Sequence, residues 1–316
     1  MNNLDFENLS SGITCIDAHY VKQGLACFYL LEGDGEYAVI ETGTSHSVSQ
    51  LTRLLDARGV HPEQMRYIIP THVHLDHAGG AGMMMSLFPR ATLLVHPRGA
   101  RHMADPRRLI EASRSVYGAE LFEQLYGEIR PIDNARIHVV DDGETVHLGE
   151  RPLLFRHTRG HAEHHACIWD ATSRGWFSGD MFGVSYPWCR FGERNFLLPS
   201  TTPSQFDPVA FANSIDVLES YKPRYMYLTH FGRLDYAPQT AALLRRQVQD
   251  YCGMARDYGD DAERLQSKLS EYSLALLRDI GDGESAVSWP EALAFDLQLN
   301  AQGLLAWLRS DRLTRA

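Results

Sequence analysis

The sequence predicts a mixed α/β fold, and three observations support this prediction. Short apolar stretches typical of buried strands alternate with longer amphipathic segments up to about residue 235. Several of these stretches are followed at once by a polar side chain of a metal-binding type, as expected where a strand gives way to a functional loop. After Tyr236-Ala237-Pro238 the pattern becomes helical. Periodicity alone predicts this class and not the arrangement of its layers.

The strands and helices of the first part follow from local patterns. Three strands are expected, at residues 13–16, 26–31 and 37–40. A helix is expected over residues 48–57, because leucines recur on one face and Gly59 follows as a stop signal. Two later helices are expected, one from Ala78 to Phe88 and a longer one carrying residues 109–125. The methionines of the first are expected to fill the core.

The densest cluster of metal-binding side chains follows the apolar stretch Tyr67–Pro70. Within six positions the chain carries His72, His74, Asp76 and His77. Alternate residues of an extended segment project to the same side, so the first three are expected to face one way. His77 is directed to a second point as the chain turns into a helix. Imidazole and carboxylate are the usual protein ligands of zinc, and we interpret this loop as half of a two-metal site.

Three more candidate ligands follow later strand-like stretches. They are His161 in Gly160-His161, Asp180 in Gly179-Asp180, and His230. In layered α/β folds, sites are assembled at strand ends, because the sheet fixes the position and the loop supplies the side chain. The neighbouring His164 and His165 are expected to support the ligands or to begin a strand.

Taken in order, these motifs resemble the metallo-β-lactamase-fold hydrolase superfamily over about residues 13 to 235. The resemblance implies a four-layer αβ/βα sandwich. It also implies two metal ions, one held by His72, His74 and His161, the other by Asp76, His77 and His230, with Asp180 bridging both. Residues 96–100, His-Pro-Arg-Gly-Ala, resemble one subgroup of uncharacterised hydrolases in this superfamily. Glu41 stands where the family usually carries an aspartate.

The resemblance implies hydrolysis, in which a metal-bridging hydroxide attacks an ester, thioester, lactone or activated aromatic substrate. Asp76 is expected to accept a proton as well as to bind metal. Zinc is the first choice of metal because the other donors of the first loop are histidines, and iron and manganese remain alternatives. A diiron oxygen-binding or redox protein is the main alternative function, although such relatives typically have a glutamate where this chain has His74. A noncatalytic binding module is the third.

The segment after Asp180 is aromatic and contains two arginines, which suits a partly apolar substrate with an anionic group. The predicted substrate-binding residues are Phe182, Tyr186, Trp188, Arg190 and Arg194; packing of the second half of the fold is the alternative. His102 and Asp105 are a candidate pair for an additional metal ion, with a capping or surface pair as the alternative.

Composition and charge give expectations about partners, location and the state of the cysteines. A net charge of −10 without a basic stripe disfavours a nucleic-acid partner. The chain has no apolar run near twenty residues, which predicts no membrane span. The amino terminus lacks the features of a signal peptide, and a cytoplasmic location is expected. Five scattered cysteines predict reduced thiols, with Cys189 as buried filler or, less favoured, a catalytic group.

The predicted domains are residues 1–238, with the metallo-β-lactamase fold, and residues 239–316, a helical extension. In the extension, an amphipathic stripe is formed by Leu265, Leu269, Tyr272 and Leu276. We expect this segment to complete the core and to build the interface of a homodimer, and we expect the other partner to be a small-molecule substrate.

Overall fold

The computed structural model describes residues 5–191, 194–201, 205–281 and 289–315. The chain divides into two compact units. Unit 1 comprises residues 1–157, 164–179 and 223–235, and unit 2 comprises residues 158–163, 180–222 and 236–316. Within the described ranges, none of the helices is long and apolar enough to cross a membrane.

Unit 1 contains a seven-stranded sheet whose strands follow one another in chain order. They are β1 (Phe6–Asn8), β2 (Ile13–Asp17), β3 (Cys27–Gly33), β4 (Glu36–Ile40), β5 (Met65–Ile69), β6 (Thr92–Val95) and β7 (Ile137–Val139). The first four pair antiparallel, whereas β4 to β7 pair in parallel. The central strand β4 is buried from Tyr37 to Ile40, which explains its continuous apolar sequence there.

A six-stranded sheet, also in unit 1, has the order β15-β14-β11-β10-β9-β8. Its strands are β8 (Thr145–Leu148), β9 (Arg151–His157), β10 (Ala166–Asp170), β11 (Gly175–Gly179), β14 (Tyr225–Leu228) and β15 (Gly232–Asp235). Strands β11 and β14 are parallel, and the other neighbours are antiparallel. The intervening β12 (Arg190–Phe191) and β13 (Arg194–Asn195) pair with each other in unit 2.

The two large sheets pack against each other through a core of aromatic and aliphatic side chains. Tyr29 of β3 meets Phe177 of β11 edge-on, with ring centroids 5.1 Å apart, and Phe177 stacks on Tyr227 of β14 at 4.6 Å. The outer face of the first sheet is covered by helices α1 (Val48–Arg58) and α3 (Ala81–Leu87), the latter burying Met84 and Met85. The mixed α/β class, the sandwich and the core role of the methionines are confirmed.

Two predicted helices are wrong in their bounds. The helix expected from Ala78 is split at Gly79-Gly80 into a short α2 (Leu75–Ala78) and α3. The longer helix expected over residues 109–125 is likewise two helices, α5 (Arg107–Tyr117) and α6 (Ala119–Tyr126), since the chain turns at Gly118. Helices α5 and α6 follow α4 (Pro97–Ala104) in the chain. The apolar side chains continue across each break, and periodicity therefore could not reveal it.

Unit 2 is built largely of helices. They are α7 (Pro208–Ser220), α8 (Pro238–Tyr258), α9 (Ala262–Ile280) and α10 (Trp289–Arg315). Helix α7 begins at Asp207, whose carboxylate accepts hydrogen bonds from two backbone N–H groups of its first turn. Helices α8 and α9 are joined by the Tyr251 and Ser273 hydroxyls, 3.0 Å apart. The predicted domain boundary after residue 238 stays a prediction.

Candidate metal centre

In unit 1, candidate ligands gather where neighbouring strands end. Strands β4 and β5 are parallel and pair Ile40 with Ile69, so the segments that follow them leave the sheet at the same edge. Glu41 follows β4, and the loop of residues 71–77 follows β5. His230 follows β14 of the second sheet by two residues. Distant parts of the sequence therefore supply one cluster, because β4 and β5 are paired in parallel and the sheet that contains β14 packs on theirs.

The imidazoles of this cluster lie in contact. The ring of His72 is centred 4.4 Å from that of His74 and 4.0 Å from that of His77, and His77 lies 5.3 Å from His230. One ligand atom each from Asp76, His77 and His230 fall within 4.8 Å of one another, and the same holds for Glu41, His72 and His77. These spacings suit binding to a common metal ion.

Hydrogen bonds to the Nδ1 atoms determine which nitrogen of three rings faces the cluster. His230 Nδ1 lies 2.7 Å from the Leu25 carbonyl oxygen, and His77 Nδ1 lies 2.9 Å from a Glu41 carboxylate oxygen. Both oxygens only accept, so each Nδ1 donates. His72 Nδ1 lies 3.1 Å from the Thr71 hydroxyl, which itself donates to Glu41. In the neutral rings, Nε2 therefore carries the lone pair that a metal ion requires.

The positions of these Nε2 atoms fit a cation. Asp76 Oδ2 lies 3.7 Å from His77 Nε2 and 3.5 Å from His230 Nε2. With the rings neutral, two atoms that both present lone pairs repel each other at this distance, and a cation bound between them removes the repulsion. Ligands of one tetrahedral zinc ion, at about 2.0–2.1 Å, lie about 3.4 Å apart. The donor set of unit 1 therefore fits a divalent metal ion.

Glu41 is the central supporting residue of the cluster, and its side chain is buried. Its carboxylate accepts hydrogen bonds from the Thr71 backbone N–H at 3.0 Å, the Thr71 hydroxyl at 2.6 Å, the Thr229 hydroxyl at 2.9 Å and His77 Nδ1 at 2.9 Å. It thus joins the ends of β4, β5 and β14. Sequence reasoning noted Glu41 only as a departure from the family and missed both threonines. The available signal was the repeated Thr-His pair at residues 71–72 and 229–230.

Unit 2 contains a second, smaller donor set. His161 Nε2 lies 3.4 Å from Asp180 Oδ2, and both side chains are buried. His161 Nδ1 donates to the Ser200 carbonyl oxygen at 3.1 Å, and the Ser200 hydroxyl donates to Asp180 Oδ2 at 3.1 Å. This repeats the arrangement of unit 1, with an anchored Nδ1 and an Nε2 opposite a carboxylate. Ser200 was not found from the sequence, because nothing in its neighbourhood resembles a ligand motif.

Steric crowding explains why the Gly-His and Gly-Asp motifs contain glycine. Gly160 adopts φ +130°, and a Cβ there would lie 2.3 Å from the Phe211 backbone on α7. Gly179 adopts φ +50°, and a Cβ there would lie 2.4 Å from the Thr71 hydroxyl and 2.6 Å from His165 Nε2. Each glycine therefore allows close packing immediately beside a candidate ligand.

Replacing Gly160 by alanine is expected to lower the free energy of unfolding by at least about 2 kcal/mol, because backbone atoms cannot move aside as a flexible side chain can. Denaturant unfolding measures this change. Gly253→Ala is the matched control, since a Cβ on that residue of α8 meets nothing within 4 Å. It is expected to be neutral or stabilising by up to about 1 kcal/mol. Equal effects of the two changes would contradict the steric explanation.

The candidate pair His102 and Asp105 lies at the end of α4. Asp105 forms an ion pair with Arg107, at 2.5 Å, which holds the pKa of its carboxyl at about 2. His102 Nε2 accepts a hydrogen bond from Arg101 at 3.2 Å, and burial together with the charges of Arg101 and Arg108 lowers its pKa. A surface pair accounts for these contacts, and an additional metal ion here stays a prediction.

The predicted substrate residues differ in exposure. Phe182 and Tyr186 are buried in unit 2, and Tyr186 donates to Asp296 of α10 at 2.9 Å. Trp188 is half-buried and stacks on Tyr186 at 4.7 Å. Arg190 is half-buried, and Arg194 is exposed. Their role in binding substrate stays a prediction.

All five cysteines are buried and none forms a disulfide, as expected for thiols packed as small apolar groups. Burial, reinforced by the charge of Asp296, raises the pKa of Cys189 to about 12. Its thiol therefore stays protonated at neutral pH, which favours the filler role over catalysis.

A tyrosine cluster next to Asp76 was also missed. Tyr117 of α5 and Tyr126 of α6 have pKa values raised by burial and also by the negative charge of Asp76. Leu75, inside the ligand loop, packs with Phe122 and Tyr126. Helices α5 and α6 therefore border the ligand loop with aromatic side chains that stay uncharged. Sequence reasoning used Tyr117 only as part of an apolar helix face.

A relative in sequence and two solved structures resemble this chain over three quarters or more of its length. ST1585 of Sulfurisphaera tokodaii, a metallo-beta-lactamase fold-containing protein, is 23% identical over 274 residues, which cover 84% of this chain and 97% of that protein. Its crystal structure matches with a TM-score of 0.62, covering 76% of this chain and 87% of that chain. The family protein TTHA1429 from Thermus thermophilus matches with a TM-score of 0.64 and 21% identity, covering 95% and 94%.

One further relative in sequence and one further solved structure have names that state a function. The human acyl-coenzyme A thioesterase MBLAC2 is 25% identical over 194 residues, which cover 55% of this chain and 65% of that protein. The chain thus spans slightly less than two thirds of that relative. The rubredoxin oxygen:oxidoreductase of Desulfovibrio gigas matches with a TM-score of 0.52 and 16% identity, covering 77% of this chain and 61% of that chain. At such identities, the likeness to solved structures shows the fold alone.

A family model described as the metallo-beta-lactamase superfamily matches residues 26–230, a range that includes every candidate ligand from His72 to His230. The resemblance inferred from the motifs is therefore confirmed. The chain belongs to the metallo-beta-lactamase superfamily.

Proposed function

We propose that the protein is a hydrolase that uses two divalent metal ions. The proposed ligands are His72, His74, Asp76, His77, His161, Asp180 and His230, in the two sets that the family pattern implies. The observation that carries the proposal recurs in both units: an imidazole anchored through Nδ1 directs its Nε2 at a carboxylate oxygen 3.4–3.7 Å away. Buried imidazoles and carboxylates in this arrangement are most simply explained as metal ligands.

When bound, two such ions lower the pKa of a shared water and polarise the scissile bond. The residues of the chain would orient the metal ligands and accept the proton. Asp76 is the proposed proton acceptor for the attacking water, since its side chain is 22% exposed while His77 is fully buried. Its Oδ2 lies close to the Nε2 atoms of two proposed ligands, and a reactant at the centre is therefore within its reach. Glu41 holds His77 in the tautomer that binds metal.

The proposed substrates are esters, thioesters, lactones or activated aromatic compounds. The name of the thioesterase relative supports a thioester, and the uncharged tyrosines beside Asp76 suit an apolar or aromatic substituent. Phe182, Tyr186, Trp188, Arg190 and Arg194 remain proposed substrate residues. Of these, Arg194 is the one whose exposure suits an anionic group on the substrate.

We propose zinc as the metal, because histidines dominate the donor set. A diiron oxygen-binding or redox protein is the alternative, and the fold neighbour named as an oxygen:oxidoreductase supports its redox part. We further propose that residues 1–238 form the hydrolase domain and that residues 239–316 contribute to a homodimer, acting in the cytoplasm.

A substrate panel with and without chelator tests the proposal. The protein is expected to hydrolyse at least one member of a set of esters, acyl thioesters, lactones and haloaromatic compounds. Dialysis against a chelator is expected to reduce that rate at least about a hundredfold, since the attacking water loses its activation. Adding back Zn²⁺ is the control and should restore the rate. Chelator-insensitive hydrolysis would overturn the mechanism, and tightly bound iron with a visible absorption band would favour the diiron alternative.

A further inference from the structure

The segment Pro199-Ser200-Thr201 of unit 2 is held by one side chain from far along the chain. Asn300 lies on α10 and is 3% exposed. Its amide nitrogen donates to the Pro199 carbonyl oxygen at 2.8 Å. Its amide oxygen accepts from the Thr201 backbone N–H at 2.8 Å, and the Thr201 hydroxyl lies 3.0 Å from the same oxygen and from the Asn300 carbonyl oxygen. A single amide thus fixes both neighbours of Ser200.

Ser200 is the residue that contacts both proposed metal ligands of unit 2. Its carbonyl oxygen accepts from His161 Nδ1, and its hydroxyl donates to Asp180 Oδ2, each at 3.1 Å. The carbonyl oxygen determines which His161 nitrogen faces Asp180, and the hydroxyl fixes the rotation of the carboxylate. The orientation of both ligands therefore depends on where the backbone of Ser200 lies.

We propose that Asn300 is a positioning residue for His161 and Asp180, acting through residues 199–201. The proposal rests on the proposed function, since it takes both residues as metal ligands. It assigns a role to the carboxyl-terminal helix: α10 supplies the amide that holds the support of two ligands. Side chains that orient metal ligands commonly change metal affinity by about ten- to a hundredfold when removed. Asn300 contacts the neighbours of Ser200 and not the ligands themselves, so we expect a loss of metal affinity at the lower end of that range.

Asn300→Ala is expected to weaken Co²⁺ binding about tenfold, most strongly for the equivalent that has His161 as a ligand, and to alter the visible spectrum, because ligand orientation changes. Titration of the metal-free protein with Co²⁺ measures both, and release of Zn²⁺ to a chromogenic chelator gives an independent rate. Gln302→Ala is the matched control, an exposed amide on the same helix. It should leave affinity, spectrum and release rate unchanged.

Two further variants distinguish positioning from simple destabilisation. Asn300→Asp keeps the acceptor for Thr201 but places a carboxylate oxygen against the Pro199 carbonyl oxygen, and it is expected to weaken metal binding at least as much as Asn300→Ala. Ser200→Ala removes the hydroxyl bond to Asp180. Combined with Asn300→Ala, its effect on metal release should be less than the product of the single effects, because both changes act on the same ligand.

The outcomes separate the two proposals. If wild type binds two equivalents of metal and Asn300→Ala binds them with unchanged affinity, spectrum and release rate, the positioning role is wrong. A fully multiplicative double variant would also contradict it. If wild type binds two equivalents but hydrolyses no member of the substrate panel, the proposed function is wrong, while an altered spectrum in Asn300→Ala would still support the positioning role.

Discussion

Asp76→Ala is expected to lower kcat/KM at least about a thousandfold, equivalent to about 4 kcal/mol of transition-state stabilisation. The carboxylate lies opposite the Nε2 atoms of His77 and His230, at 3.7 and 3.5 Å, and is proposed to accept the proton of the attacking water. Alanine removes a metal ligand and this acceptor together. Steady-state hydrolysis of the best panel substrate, alongside metal content by mass spectrometry, measures the two losses separately.

Two variants make the Asp76 result specific. Asp76→Asn keeps the shape and one oxygen, so it should retain more metal than alanine while remaining at least about a hundredfold slower, because an amide accepts a proton poorly. Asp56→Asn changes an exposed carboxylate of α1 and should leave the rate unaffected. Near-normal turnover by Asp76→Ala with two bound metal ions would remove Asp76 from the mechanism.

Glu41→Ala is expected to lower the free energy of unfolding by at least about 3 kcal/mol and to abolish stable metal binding. The substitution leaves the Thr71 N–H and hydroxyl, the Thr229 hydroxyl and His77 Nδ1 without their acceptor in a buried site. Each buried group left unsatisfied costs about 1–3 kcal/mol, and relaxation recovers part of that sum. Urea unfolding of the metal-free protein measures the effect without any contribution from bound ions.

The two ends of strand β4 provide the matched control. Glu36, at its beginning, forms a half-exposed ion pair with Arg66 at 3.2 Å, and Glu36→Ala is expected to cost less than about 1 kcal/mol. Glu41→Asp keeps the charge but shortens the side chain, so it should lose less stability than alanine. If Glu41→Ala and Glu36→Ala are equally mild, the carboxylate does not join the strand ends as described.

The fold class and the loop of four candidate ligands could be predicted, because the sequence signals for both lie in short segments of the chain. Alternating apolar stretches mark strands, and the crowding of His72, His74, Asp76 and His77 within one loop is visible without knowing any contact. The supporting residues lack such a signal. Glu41 and Thr229 are 188 positions apart, and their hydrogen bond exists only because the strands before them end close together.

Backbone turns and tertiary contacts leave no mark in the spacing of apolar residues, and for this reason the helix bounds were wrong and the tyrosines were overlooked. Apolar periodicity runs through Gly118, so α5 and α6 look like one helix until the backbone turns. Tyr126 contributes to the surroundings of Asp76 because Leu75 packs against it, and the sequence does not encode that pairing in any spacing. Motifs thus predict which residues react, whereas the residues that hold them require tertiary contacts.

The hydrogen bonds between Thr201 and Asn300 in unit 2 have a consequence for biosynthesis, because the two residues are far apart in the sequence. Thr201 and Asn300 are 99 positions apart, and a ribosome adding about 5–20 residues per second needs roughly 5 to 20 s to pass from one to the other. During that interval His161 and Asp180 have already been made, but the amide that secures their support has not. Metal binding at the proposed ligands of unit 2 is therefore expected to be about tenfold weaker before α10 emerges than in the finished chain.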